Sequence, residues 1–143
     1  MGIVRNILTQ KDNTIHAVAP DTILFSALEK MYDKNISALL VIENNNLVGI
    51  FTERDYARKV VLKGKSSKEV KIHEIMTTNL ITVEPDCKIE EAMLILTNKH
   101  IRHLPVMEGG SLIGIVSIGD VVKYLIEELQ FIIGNLENYI SHT

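Results

Sequence analysis

Two copies of one short motif carry residues that could do chemistry. Residues 49–55 read Gly-Ile-Phe-Thr-Glu-Arg-Asp and residues 114–120 read Gly-Ile-Val-Ser-Ile-Gly-Asp. A hydroxyl residue followed three positions later by a carboxylate is the capping pattern of a helix N-terminus. The first turn of a helix also offers unpaired N–H groups and a positive dipole end, which bind phosphate. Each copy therefore predicts either a simple helix cap or an anion site, and the duplication favours a site.

The elements around the first copy must position it. The apolar run Leu47–Phe51 predicts a strand, and a helical pattern begins at Thr52 and ends near Lys63. Another apolar run, at 37–42, predicts the preceding strand. The acidic and asparagine-rich segment 43–46 joins the two runs and predicts a hairpin turn, because asparagine tolerates the left-handed conformation.

The first part of the chain adds a short strand and two helices. Apolar residues recur at helical spacing over 23–31, and Asp21, which follows Pro20, is the predicted N-cap of that helix. Alternating residues at 14–18 predict a short strand, and the apolar spacing of 4–9 predicts a lead-in helix.

The same order of elements then starts again. Adding 65 to a residue number carries residues 14–55 onto residues 79–120 without a gap, so that Pro20-Asp21 falls on Pro85-Asp86. Such self-similarity predicts two copies of one β-α-β-β-α unit, at 1–64 and 65–143. One half would be marginally stable alone, so the two are predicted to pack sheet to sheet as an α/β fold.

The C-terminal tail breaks this symmetry. From Val122 to Tyr139 apolar residues alternate spacings of three and four, which predicts a helix running to about Ile140 with a coiled-coil-like seam. This helix could lie on its own domain or form a subunit contact. Its length beyond one small domain favours the contact, and hence a homodimer.

Composition narrows the class of protein. The net charge is −3 and only 23% of the 143 residues are charged, so there is no electrostatic footprint for nucleic acid. The short basic run at 63–68 is interpreted as a solvated linker. No apolar run is long enough to span a membrane. The single cysteine predicts a reducing, cytoplasmic setting.

Several of these features together resemble a tandem pair of CBS domains, a Bateman module. They are the two motifs, the sequence His-Leu-Pro-Val at 103–106, the hairpin at 109–114, the Pro-Asp pairs, and Met76-Thr77 before the second repeat. The run at 52–60 resembles that of small stand-alone bacterial CBS pairs. The resemblance implies pseudo-twofold symmetry, dimerisation into a flat disc, and clefts that bind AMP, ADP, ATP, S-adenosylmethionine or NAD.

The resemblance also implies roles for individual residues. Asp55 and Asp120 would each hold both ribose hydroxyls, since a carboxylate accepts two hydrogen bonds at once. Thr52 and Ser117 would face phosphate, and Gly119 would let backbone approach it closely.

The adenine pocket of each cleft would come from the other repeat. For Asp120 it would use residues near the first two strands: Ile15, His16, Ala17, Ile36, Ser37 and Ala38. For Asp55 it would use their counterparts: Leu80, Ile81, Thr82, Ile101, Arg102 and His103. Arg102 and His103 would bind phosphate in the Asp55 cleft, whereas the Asp120 cleft would rely on Arg54 or Arg58. The two clefts are therefore predicted to be unequal.

Three functions follow as hypotheses. The first is a regulatory module that binds adenosine nucleotides without catalysis, since the sequence assembles no nucleophile, base and orienting group. The second is a protein-interaction module with vestigial clefts that docks a partner through its disc face or C-terminal helix. An enzyme is the least favoured. His100 and His103 are too few ligands for a structural zinc site, so no metal is predicted.

Overall fold

The computed structural model describes residues 2–142, which form two compact units. The continuous unit consists of Thr14–Ile81. The split unit joins the N-terminal segment up to Asn13 with the chain from Thr82 onward. Both units combine strands with helices, which confirms the predicted α/β fold class.

The continuous unit contains a small three-stranded sheet with helices. Its elements in chain order are β1 Ala17–Val18, α2 Leu24–Lys34, β2 Ala38–Glu43, β3 Asn46–Thr52, α3 Glu53–Tyr56 and a 3-10 helix at Ile72–Glu74. The last turns of α3 continue as a π-helix over Ala57–Val61. Strand β1 pairs with β2 in parallel, and β2 pairs with β3 antiparallel. Apolar side chains from α2 and the sheet, among them Leu24, Leu39 and Phe51, are fully buried in one core.

The split unit repeats this plan with a smaller sheet. Its elements in chain order are α1 Val4–Gln10, α4 Ile89–Asn98, β4 His103–Glu108, β5 Ser111–Ser117 and α5 Ile118–Ser141. Strands β4 and β5 pair antiparallel. Where the continuous unit has β1, the split unit has an isolated parallel bridge between Val83 and Val106. The predicted first strand is thus shorter than expected in both repeats.

Both hairpins turn through left-handed residues, as the sequence predicts. Asn44 and Asn45 have φ values of 51° and 65°, and Gly109 and Gly110 have values of 58° and 82°. Two consecutive positive φ angles match the twist of a two-residue hairpin, and asparagine and glycine are the residues that adopt them at least cost.

The predicted start of α2 is wrong. Asp21 is not its N-cap, and the helix begins at Leu24 without a side-chain cap. Backbone carbonyls take the place of the cap, because the N–H of Leu24 donates to the Val70 carbonyl at 2.8 Å and the N–H of Phe25 donates to the Ser67 carbonyl at 3.0 Å. These acceptors satisfy the first-turn donors that a side chain would otherwise cap.

The corresponding helix α4 also starts later than Asp86. It begins at Ile89, whose N–H donates to the Gly2 carbonyl at 3.1 Å. Cys87 therefore lies before the helix instead of in its first turn. Burial raises the pKa of the Cys87 thiol, and the carboxylates of Glu91 and Asp86 raise it further. A helix N-terminus therefore does not activate this cysteine.

Each unit also contains the lead-in helix that precedes the other sequence repeat. In the continuous unit the N–H of His73, in the 3-10 helix, donates to the Pro20 carbonyl at 2.9 Å. In the split unit the N–H of Arg5, in α1, donates to the Pro85 carbonyl at 2.9 Å. Matching bonds thus hold the lead-in helix of one repeat on the Pro-Asp turn of the other.

The compact units consequently do not coincide with the sequence repeats. The repeat boundaries at 1–64 and 65–143 stay a prediction, and their end residues, Met1 and Thr143, lie outside the described residues. Helix α5 runs to Ser141, which confirms the long C-terminal helix. Among the helices of residues 2–142, none combines the length and the apolar character needed to cross a bilayer.

Candidate functional site

Both motifs form the capping box that the sequence predicts. The hydroxyl of Thr52 accepts from the N–H of Asp55 at 3.3 Å, and the N–H of Thr52 donates to the Asp55 carboxylate at 3.0 Å. In the split unit the Ser117 hydroxyl accepts from the N–H of Asp120 at 3.0 Å, and the N–H of Ser117 donates to that carboxylate at 2.9 Å. Each carboxylate is therefore fixed over the start of its helix.

The next N–H in each motif is also paired. The N–H of Glu53 donates to the Ser37 carbonyl at 3.2 Å, and the N–H of Ile118 donates to the Arg102 carbonyl at 2.9 Å. These bonds bring the start of β2 or β4 beside the motif of the same unit. They also occupy N–H groups that a phosphate would need, so the phosphate role of Thr52 and Ser117 stays a prediction.

Asp55 lies in a closed environment. Only 9% of its side chain is exposed. Beyond the Thr52 contacts, its carboxylate accepts from the Thr77 hydroxyl at 3.0 Å and from the Lys59 ammonium at 2.9 Å. Lys59 also donates to the Ile75 carbonyl at 3.0 Å. The lead-in segment of the second repeat thus helps to cover this carboxylate.

Asp120 lies in a more open environment. Its side chain is 26% exposed, and its Oδ2 accepts from the Lys11 ammonium at 2.8 Å. Lys11 also donates to the Ile115 carbonyl at 3.0 Å. Burial tends to raise the pKa of Asp120, but hydrogen bonds from Lys11 and Ser117 outweigh it and hold the pKa below its ordinary value of 3.8. The lowered pKa favours the ionised carboxylate, and about a quarter of this side chain is open to solvent.

His103 lies near Asp120 in the same unit. It pairs with Ser117 across the β4–β5 ladder. Burial lowers the pKa of His103 below its ordinary value, the negative charge of Asp120 opposes this, and the positive charges of Lys11 and Arg102 add to it. Arg102 itself is exposed. His103 is thus a neutral polar group beside Asp120.

The remaining predicted site residues fall into the two units separately. The continuous unit holds those of the first repeat and the end of the linker: Ile15, His16, Ala17, Ser37, Ala38, Arg54, Leu80. The split unit holds those of the second repeat: Thr82, Ile101, Gly119. The predicted adenine pockets combine residues of different units, and they stay a prediction.

Gly119 is not required by the fold. A Cβ at this position would meet only the Ser117 hydroxyl, at 3.6 Å, which is ordinary contact. Its φ is not in the left-handed region. Packing therefore does not explain why position 119 is a glycine. A glycine beside Ser117 and Asp120 leaves room for a ligand to approach the backbone.

The sequence did not indicate the two lysines that pair with the motif carboxylates. Lys59 stands four residues after Asp55, a helical spacing at which opposite charges meet, so this pair could have been found. Lys11 is separated from Asp120 by 109 residues, and no sequence pattern predicts that the two residues pair. Within residues 2–142, no group of three or more His, Cys, Asp or Glu residues is placed to hold a metal ion.

Comparison with known proteins identifies the family. The model of the CBS domain matches this chain twice, over residues 4–62 and 72–127. The chain therefore belongs to the CBS domain family, as a pair of CBS domains. This confirms the resemblance seen in the sequence.

Solved structures share the fold. A CBS-domain protein from Burkholderia ambifaria MC40-6 is 45% identical with a TM-score of 0.86, and the match covers 88% of this chain and 95% of that one. The CBS domain pair of protein MJ0100, solved with 5′-methylthioadenosine and S-adenosyl-L-methionine, has a TM-score of 0.75 over 90% of this chain and 98% of that chain. At 23% identity the second match shows the fold alone.

A relative of known name extends beyond this sequence. The mitochondrial CBS domain-containing protein CBSX3 of Arabidopsis thaliana is 42% identical over 126 residues. The match covers 85% of this chain but 61% of the Arabidopsis protein. The coarse class, a CBS pair of a regulatory family, is therefore established for this chain, and its ligand is a separate question.

Proposed function

We propose that this CBS pair is a regulatory module that binds an adenosine nucleotide and does no chemistry of its own. The observation that carries the proposal is the Asp120 carboxylate, which is ionised, partly exposed and fixed at the start of α5. A carboxylate held in this way can accept hydrogen bonds from the hydroxyls of a ribose.

The ligand class is AMP, ADP, ATP or NAD. The support is the family's adenosine chemistry together with the groups near Asp120, since the Lys11 ammonium contacts this carboxylate and His103 lies close enough to respond to its charge. The ligands of the MJ0100 pair are also adenosine compounds. At 23% identity they describe that protein and do not identify the ligand of this chain.

The proposed absence of catalysis follows from what the polar groups already do. Both motif carboxylates cap helices and pair with lysines, and the motif hydroxyls accept backbone N–H groups. A nucleophile would need an adjacent base in place of these contacts. We therefore propose a binding role. The single cysteine supports a reducing, cytoplasmic setting for it.

Helix α5 supports a second function, in which the module docks a partner. Large apolar side chains along its second half are exposed, with Leu129 at 55% and Tyr139 at 71%. A helix that exposes such residues at coiled-coil spacing suits a protein contact. We propose a second copy of this chain as the first partner, and a regulated protein as the alternative.

The test of nucleotide binding compares wild type with Asp120→Asn. AMP, ADP, ATP and NAD are screened by thermal shift, since a ligand that binds only the folded state raises its stability. Calorimetry then measures affinity for the best ligand. Loss of a charge-assisted contact should weaken it by roughly 10- to 150-fold.

Free adenine is the matched control, because it has no ribose for Asp120 to hold. Its affinity should change little in Asp120→Asn. If the substitution instead unfolds the ligand-free protein while AMP binds the remaining folded fraction as before, Asp120 is a structural cap. If none of the nucleotides stabilises the wild-type protein, the docking function takes precedence.

A further inference from the structure

We propose that Lys11 is a ligand-binding residue which, together with Asp120, reads the vicinal diol of the ribose, and that the Asp55–Lys59 pair is structural. This inference rests on the proposed nucleotide binding and assigns the site to one unit. It follows from an account of the hydrogen bonds in each pair.

The Asp55–Lys59 pair has no capacity left. A carboxylate has about four lone-pair sites. Oδ2 of Asp55 accepts from the N–H and the hydroxyl of Thr52, at 3.0 and 3.1 Å, while Oδ1 accepts from Thr77 and Lys59, at 3.0 and 2.9 Å. Lys59 uses its three donors on Asp55, the Ile75 carbonyl and, at 3.5 Å, the Thr77 hydroxyl. A ribose could bind here only by displacing these contacts.

The Lys11–Asp120 pair is filled only in part. Within the described residues, the Ser117 N–H and the Lys11 ammonium both donate to Oδ2 of Asp120, and the Ser117 side chain adds a further hydrogen bond to this carboxylate. Lys11 spends two of its three donors, on Asp120 and on the Ile115 carbonyl. The two side chains are 26% and 28% exposed, whereas Asp55 is 9% exposed. Oδ1 of Asp120 takes neither the Ser117 N–H bond nor the Lys11 bond, and Lys11 has a third ammonium hydrogen beyond its two contacts, so we assign both groups to a ligand.

These two groups suit a vicinal diol. One ribose hydroxyl donates to Oδ1 of Asp120, and the oxygen of its neighbour accepts from the third N–H of Lys11. The ion pair stays intact, so the site is already organised when the ligand arrives and little is lost in ordering it. The Ile115 carbonyl fixes the ammonium, which makes the position of the donor as definite as that of the acceptor.

Two consequences follow for selectivity. A nucleotide that lacks one ribose hydroxyl leaves either the acceptor or the donor unpaired, and a site built to hydrogen-bond a hydroxyl discriminates against the analogue that lacks it. One of the deoxy analogues lacks the hydroxyl that Lys11 would bind. Removing Lys11 should not weaken the affinity for that analogue any further. Removing Lys59 should leave ligand affinity unchanged.

The test combines two variants with two series of three ligands. Lys11→Met keeps an unbranched side chain of nearly the same length and removes the ammonium, and Lys59→Met is the matched control in the other unit. Calorimetry measures the affinity of AMP, 2′-deoxy-AMP and 3′-deoxy-AMP, and of the corresponding triphosphates, for each folded protein. Circular dichroism and thermal unfolding confirm that each variant is folded at the temperature used.

We expect Lys11→Met to weaken AMP or ATP binding by about tenfold or more, the effect of losing a hydrogen bond to a charged group. One of the two deoxy analogues should lose less than about twofold. An equal loss for the ribonucleotide and both deoxy analogues would show a merely structural role and overturn the inference. So would unchanged or tighter binding in Lys11→Met, or an equal loss in Lys59→Met.

The failure of this inference is distinguishable from failure of the proposed function. If wild-type protein binds AMP or ATP and Lys11→Met does not alter the preference for the diol, the nucleotide function stands and the role of Lys11 is wrong. If wild-type protein binds neither nucleotide series, both are overturned.

Discussion

Gly49 lies so close to Met76 that a Cβ on the glycine would stand 2.6 Å from the methionine sulfur. The same relationship recurs in the split unit, where a Cβ on Gly114 would stand 2.9 Å from Leu8 and 2.5 Å from the Asn13 side chain. The glycine of each motif therefore serves packing, because it lets a lead-in segment lie directly on the strand that carries the motif.

Alanine at Gly49 or Gly114 should destabilise the protein. The added methyl group forces the side chain of Met76, or those of Leu8 and Asn13, to repack, and overpacking of this kind costs about 1–3 kcal/mol. Urea unfolding of Gly49→Ala and Gly114→Ala measures the loss. Gly134→Ala is the control, because a Cβ there meets nothing within 4 Å and alanine favours the helix by up to about 1 kcal/mol. Equal or higher stability in the first two variants would contradict this packing role.

Asp55→Asn should reduce the free energy of unfolding by about 1–3 kcal/mol, the cost of leaving a buried polar group unsatisfied. The new amide group would face the N–H of Thr52 or the ammonium of Lys59, both of which are donors. Urea unfolding in the absence of ligand measures the change. The matched variant Asp120→Asn, in a more exposed site, should lose less, and the reverse order would refute the structural role of Asp55.

The stability of the protein should depend on the protonation of His103. Burial holds its pKa below the ordinary 6.5, and Lys11 and Arg102 lower it further against the opposing charge of Asp120. The unfolded chain therefore takes up the proton first, and the free energy of unfolding falls as the pH drops through 6.5. Wild type is compared with His103→Gln by chemical unfolding from pH 8 to pH 5.

The variant isolates this contribution from the other histidines. The difference in unfolding free energy between wild type and His103→Gln should shrink or reverse in sign as the pH falls. If wild type instead gains stability relative to the variant in acid, the attraction of Asp120 exceeds the effect of burial.

The proposed dimer depends on the seam of α5. Chain truncated after Lys123 should sediment as a monomer, and so should the double variant Leu129→Glu, Ile132→Glu, because charges at these seam positions repel across a contact. Both residues are exposed large hydrophobics in the single chain. Gln130→Glu adds a charge next to Leu129 but off the seam and serves as control. If all of these proteins keep the oligomeric state of wild type, α5 is not the contact.

Local sequence patterns were enough to predict the hairpin turns and the caps of α3 and α5. Thr52 and Ser117 cap their helices, and Asn44-Asn45 turns the hairpin, because in each case the interacting groups lie within three residues. The long helix α5 followed from its apolar spacing in the same way.

Features made by distant residues could not be predicted. Asp21 is a residue type that often caps helices. In the structure, however, backbone carbonyls more than forty residues away accept the first N–H groups of α2, which begins at Leu24. Lys11 reaches Asp120 only because the lead-in helix of the first repeat lies in the unit of the second. Aligning the two repeats by adding 65 to each residue number shows that their sequences match. It does not show that the lead-in helix of one repeat belongs to the unit of the other.

The division of the chain into a split and a continuous unit sets an order of assembly. During synthesis the continuous unit is complete once Ile81 has left the ribosome, and its contacts connect residues of one stretch. Helix α1 can pack only after α4, β4 and β5 have been synthesised. Folding of the split unit therefore has the larger loop-closure entropy cost. We therefore expect the residues of α1 to fold after the continuous unit, although they are synthesised before it, and Lys11 to meet Asp120 only at that stage.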